Sequence, residues 1–256
     1  MWPFGKSKQD KQTEQVLDPR ELIEETINEM LTDGEITVEQ LETAQRKGAD
    51  DTGAQLASGS RQVKEVVKEL TQWWETTFTK QQKTYIESKL GKGWIRSAYS
   101  QSTKKPPCGA LPIVNAAILF KEVSDTQIAS SMFKQAINQA QKFGSVIDLH
   151  FVYSNMIPFL YSKRNKEADA LELTADACKN MIALGPKVIE AWKQEYPMDT
   201  ELPGHRGFDR LPMIYANQGD FDNAIRICEL AKDQGWGWAG NWDKDIIKYR
   251  KKQAKA

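Results

Sequence analysis

The stretch YANQGDFDNAIRICELAKDQGW, residues 215–236, decides how the chain is read. It holds a turn, then small residues at fixed steps, then tryptophan. The segment NQGDF supplies the turn, and Gly219 suits the left-handed conformation that follows a helix. Ala224 and Ala231 lie two helical turns apart and so share a face. An earlier stretch repeats this pattern of sizes. SNMIPFLYSKRNKEADALELTADACK (154–179) aligns with FDRLPMIYANQGDFDNAIRICELAKD (208–233) at a constant offset and without a gap. Ile157-Pro158 falls on Leu211-Pro212, Tyr161 on Tyr215, Ala170 on Ala224 and Ala177 on Ala231.

Two antiparallel helices joined by a tight turn must approach closely somewhere. Alanine at the crossing lets the backbones meet, and a tyrosine from the first helix fills the space beside it. A single hairpin leaves an apolar face open and needs a neighbour stacked on it. Ile157, Tyr161, Ala170, Ala177, Phe208, Leu211, Tyr215, Ala224 and Ala231 are therefore expected at contacts between helices.

At these residues the sequence resembles the tetratricopeptide repeat family, whose pattern runs aromatic, Leu-Gly, Tyr, then Ala, Phe and Ala. Phe208, Leu211, Tyr215, Ala224 and Ala231 stand at the matching spacing, and Phe221 sits where such repeats often carry an aromatic. Pro212 replaces the glycine, Cys228 the phenylalanine, and Trp236 stands where proline is usual. The first copy matches through Ile157, Tyr161, Ala170, Thr174 and Ala177. The end of the chain, from Leu202, also resembles that of a group of bacterial repeat-like proteins, a likeness that brings no activity with it. The family resemblance implies a short α-solenoid of stacked hairpins. The offset between the copies exceeds the ~34 residues of one repeat unit. The extra residues include GPKVIEAWKQEYP (185–197), expected as an inserted helix bracketed by Pro186 and Pro197. Pro158 and Pro212 fall inside the first helices, where proline removes a hydrogen bond and bends the axis.

The rest of the chain reads as helical too. Residues 1–17 are polar and expected to be disordered. A helical hairpin follows over 18–47, with Asp18 as N-cap and Pro19 at the first helical position. Residues 48–60, GADDTGAQLASGS, read as a linker. The repeat domain is expected over 61–256. Its first element reads as one amphipathic helix from Arg61 to about Leu90, because Val63, Val66, Leu70, Trp74, Phe78 and Ile86 keep helical spacing. The stretch 91–112 is irregular. IVNAAILFKEV (113–123) reads as a buried helix, and SDTQIASSMFKQAINQAQKFG (124–144) as a helix capped by Ser124 or Asp125 and stopped at Gly144. No strand is expected, so the class is all-α.

Bulk composition excludes several functions. The 256 residues carry 35 Lys plus Arg against 35 Asp plus Glu, a formal net charge of zero. No global field attracts a polyanion, which argues against nucleic acid as a partner. The basic tail KYRKKQAKA complements a helix dipole. Cys108, Cys178 and Cys228 are far apart, with no C-x-x-C pair, which points to a reducing, cytoplasmic setting. The apolar tip of MWPFGKSKQDKQ is too short for a signal peptide or a membrane span.

Chemical motifs are sparse. LTDGEITVEQL resembles half of a calcium loop, but Leu31 and Gln40 fall on ligand positions that need carboxylates. His150 and His205 have no His or Cys partner at metal-ligand spacing. No metal or cofactor is therefore expected. His205 opens a helix and is expected to cap or pack. Cys178 and Cys228 read as packing thiols. Cys108 follows KKPP, where lysines would lower its pKa. Trp236, Trp238 and Trp242 are expected to cover the last hairpin together with a closing helix. Of Trp73 and Trp74, one is expected in the core.

These readings point to a non-enzymatic scaffold whose partner is a protein or peptide. Helical spacing puts Asn155, Tyr161, Arg164, Arg210 and Asn217 on the first helices, the side where repeats bind. One alternative is an enzyme or small-ligand pocket under the 91–112 loop, using Cys108, His150 or His205. Another is a homo-oligomer built through the Trp-rich helices.

Overall fold

A computed structural model of the chain describes residues 63–95, 108–198, 201–237 and 241–255, all within the second of its two compact units, Gly59–Ala256. The expectations for 1–17, 18–47 and 48–60 lie outside the described residues. Every regular element among the described residues is a helix, and no strand occurs there.

The first helix, α1, covers 63–77 and does not run on to Leu90. Thr79 adopts an extended conformation and opens α2 (Lys80–Leu90) with a reciprocal cap. The Gln82 N–H donates to Thr79 Oγ1 at 3.2 Å, and the Thr79 N–H donates to Gln82 Oε1 at 3.0 Å. This box satisfies backbone donors that a continuous helix would have bonded, so two helices replace one. Both tryptophans then pack on Phe78, with ring centres 5.2 Å away for Trp73 and 5.4 Å for Trp74. Trp74 is buried and Trp73 half-buried, as neighbours on a helix must diverge.

Helix α3 (Ala110–Ala117) starts after Gly109, whose φ of 83° is the left-handed region that favours glycine. It begins earlier than expected and ends at Ala117 rather than near Val123, and it buries Ala110, Ile113, Val114, Ala116 and Ala117. A 3-10 turn, Val123–Asp125, leads into α4 (Thr126–Phe143). No side chain caps α4, contrary to the expectation for Ser124 or Asp125. The Asp125 carboxylate is instead buried and takes Lys89 Nζ at 3.1 Å, so it ties α4 to α2. Gly144 ends α4 as expected.

Helix α5 (Val146–Ser162) opens on a Ser145–Asp148 capping box. After it come α6 (Ala170–Glu195), α7 (Arg206–Asn217), α8 (Phe221–Asp233) and α9 (Trp242–Gln253). The stretch 185–197 is not a separate helix. Helix α6 is one rod of 26 residues that passes through Pro186. A proline there forfeits a backbone hydrogen bond, at about 3 kcal/mol. Met181, Ile182 and Val188 are buried on either side of it, at ~1.5–3 kcal/mol each, which offsets that loss. Pro158 and Pro212 do lie inside α5 and α7.

From α3 to α9 each helix packs on the next, and α5 also touches α3 and α7. Ala170, Ala177, Ala224 and Ala231 are all buried, as are Ile157, Phe208 and Leu211. Tyr161 and Tyr215 are half-buried. Gly219 takes φ 81° in the α7–α8 turn. The small side chains thus lie inside, where two backbones approach. At the far end Trp242 Nε1 donates to the Trp236 carbonyl, and α9 packs over α8 with Ile246 and Tyr249 buried. Trp238 lies outside the described residues. No helix among the described residues is long and apolar enough to cross a membrane.

Candidate functional site

Tyr161 occupies the last turn of α5. The chain leaves that helix through Lys163, whose ammonium turns inward. Lys163 Nζ donates to the Glu122 carbonyl at 3.2 Å, to Thr126 Oγ1 at 2.8 Å and to Glu167 Oε1 at 2.9 Å. Arg164 turns outward and folds back, so that its Nη1 donates to the Tyr161 carbonyl at 3.0 Å. A cation closing the C-terminal carbonyls of a helix complements its dipole. This places the Arg164 guanidinium carbon 4.2 Å from the centre of the Tyr161 ring.

Arg210 reaches the same ring from α7. His205 caps that helix, with Nδ1 accepting from the Phe208 N–H at 3.3 Å. Arg210 then projects toward α5, and its guanidinium carbon also stands 4.2 Å from the Tyr161 ring centre. The two guanidiniums are therefore no more than twice that distance apart. Arg206 holds Asp209 at 3.7 Å, and Lys179 holds Asp176 at 3.1 Å. Burial pushes the Asp209 carboxyl above its usual range, against the pull of Arg206 and Arg210. Among the described residues neither Arg164 nor Arg210 forms an ion pair. Two cations on one aromatic ring, neither of them closed into an ion pair, make a concentrated donor surface.

Of the five residues expected on this side, the structure joins Tyr161, Arg164 and Arg210. Asn155 is half-buried and spends its Nδ2 on the Phe151 carbonyl of its own helix at 2.8 Å. Asn217 is exposed at the end of α7. No hydrogen bond, ion pair or ring contact among the described residues links either asparagine to the trio.

The chain matches no family model, no curated protein and no solved structure.

The residues considered for catalysis are built into the interior. Cys108 is buried, and burial pushes its thiol up to about 11, the reverse of the lowered value expected from KKPP. Burial likewise raises Cys178 and Cys228 to about 12, in line with packing thiols. His150 and His205 converge with Trp236. The His150 ring stacks on that indole at 5.9 Å, and His205 meets it edge to face at 4.5 Å. His150 Nε2 lies 3.1 Å from the Gly204 carbonyl, so it carries the proton and Nδ1 is bare. His205 Nδ1 accepts from a backbone N–H, so its Nε2 carries the proton. Burial lowers His150 to about 4, and burial, then the charge of His150, lowers His205 to about 3. Both rings are thus neutral packing groups near pH 7. No group of three or more metal-ligating side chains occurs among the described residues. The convergence of the histidines and the arrival of Arg210 on Tyr161 carried no local signal in the sequence.

Proposed function

We propose that the chain is a binding scaffold of stacked helical hairpins, of the tetratricopeptide kind, which takes a carboxylate-bearing stretch of a protein or peptide. The binding face is the one that holds Tyr161, Arg164 and Arg210. The observation that carries this reading is that two guanidiniums share one tyrosine ring and neither forms an ion pair among the described residues. Arg presents a planar fork that pairs with carboxylates through two hydrogen bonds at once. The aromatic ring beneath it limits the rotamers that binding must freeze. The buried alanines of both hairpins and the helix-on-helix order from α5 to α8 support the repeat part of the reading.

The test is fluorescence anisotropy with a labelled Asp/Glu-rich peptide and its Asn/Gln counterpart. The acidic peptide is expected to bind, more weakly as salt rises, and the double variant R164A/R210A to lose at least about tenfold in affinity. Equal binding of the neutral peptide, or indifference to the two arginines, rejects the reading.

A further inference from the structure

Residues between 67 and 95 line a half-open cavity of about 230 Å³ on elements other than those that hold Tyr161. Val67, Thr71 and Trp74 of α1 line it, together with Glu87 of α2 and Gly93, Trp94 and Ile95 beyond. Cys108, His150 and His205, expected to serve a pocket in this region, do not line it. Trp74 and Trp94 stand at 80° to each other with ring centres 6.0 Å apart, so two indoles make a corner. A cation already uses one of them, since Lys83 Nζ stands 6.0 Å from the Trp74 ring centre. Lys83 is itself committed to Glu75.

Among the described residues, Glu87 is the one ionisable side chain in this wall. It is half-buried, and its carboxylate makes no hydrogen bond or ion pair among the described residues. A carboxylate drawn partly out of water without a partner is unfavourable until a cation arrives. An anion is repelled there. A bare divalent metal needs six or so oxygen ligands, and the described residues of the wall offer one carboxylate and one hydroxyl. An ion that is positive yet apolar on its outside suits both the indoles and the carboxylate. The cavity is smaller than the ~300 Å³ at which drug-sized sites begin, so it holds a head group rather than a large molecule.

We propose that this cavity binds a small alkylated ammonium ion, as a free metabolite or as the tip of a methylated lysine. Calorimetry on the full chain at low salt tests it with choline, with its neutral isostere 3,3-dimethyl-1-butanol, and with a short peptide carrying trimethyllysine. Choline or the peptide is expected to bind at least about tenfold more tightly than the isostere. Glu87→Gln is expected to remove most of that difference. Thr71 is exposed on α1, so Thr71→Phe is expected to fill the mouth and abolish binding with the helical circular dichroism unchanged. R164A/R210A leaves this binding intact, which separates the proposal from the Tyr161 reading. Peptide binding without choline binding marks a protein tail as the source, and the reverse marks a metabolite. Failure of both cations, an isostere that binds as well as choline, or an unaffected Glu87→Gln overturns the proposal.

Discussion

His150 on α5 and His205 at the start of α7 lie with ring centres 5.4 Å apart, both buried and both neutral. They join the two hairpins through the Gly204 carbonyl and Trp236. Their folded pKa values, about 4 and about 3, lie below the unfolded value near 6.5. The unfolded chain therefore binds protons first as pH falls. Stability is full above pH 6.5 and declines below it. At pH 5 the loss is about 2 kcal/mol per ring. Urea midpoints measured between pH 7.5 and 4.5 should fall accordingly, and His150→Phe should flatten part of the slope.

Two glycines test how closely the helices approach. A Cβ at Gly207 would stand 2.9 Å from the Cys178 carbonyl of α6 and 3.1 Å from the His205 ring. Backbone cannot yield there, so Gly207→Ala should cost about 1–3 kcal/mol. At Gly185 the nearest atom is Gln234 Oε1 at 2.8 Å, the end of a flexible side chain. Gly185→Ala should disturb the Gln234–Trp236 hydrogen bond yet gain about 1 kcal/mol of helix propensity, for a net change near zero. Thermal or urea unfolding of the two variants measures the contrast. A harmless Gly207→Ala would mean that α7 does not press on α6.

Lys163 anchors the end of α5 to α4. Burial raises the Glu167 carboxyl, but the hydrogen bonds from Thr126 and Lys163 outweigh it and leave the group below its usual range. That contribution is present above the unfolded carboxyl pKa and disappears as pH falls through the folded one. Lys163→Met leaves the Glu122 carbonyl without its Lys163 donor and Glu167 with Thr126 alone, and should cost about 1–3 kcal/mol at pH 7. The cost should shrink below pH 4, as followed by urea denaturation.

The three thiols should react as interior groups. With Cys108 at about 11, roughly one thiolate in a thousand exists at pH 8, before access is counted. Labelling with a chromogenic disulfide should be slow in buffer and become fast only across the urea transition. A single fast thiol in the folded protein would locate an opening that the fold lacks.

Much of the helical outline was legible along the chain. Gly144 and Gly219 end helices where expected, and Ala170, Ala177, Ala224 and Ala231 are buried at the spacing that suggested it. The break before α2 was missed, because an unbroken apolar pattern outweighed the capping-box spacing of Thr79 and Gln82. Pro186 misled for a different reason. A proline reads as a boundary by its local cost, and only burial on both sides of it lets α6 continue.

Local order along the chain was enough to give the helices of the described residues and their small-residue faces, because helical periodicity, capping and side-chain size act between residues a few positions apart. Within the candidate site, spacing brought Arg164 near Tyr161, although α5 ends at Ser162 and Arg164 reaches the ring from the turn beyond it. Tertiary structure alone decided that Arg210 meets the same ring, that His150 and His205 share Trp236, and that Trp74, Trp94 and Glu87 wall one cavity. Those meetings depend on how rods pack, and packing is set by the summed fit of many distant side chains rather than by any local pattern.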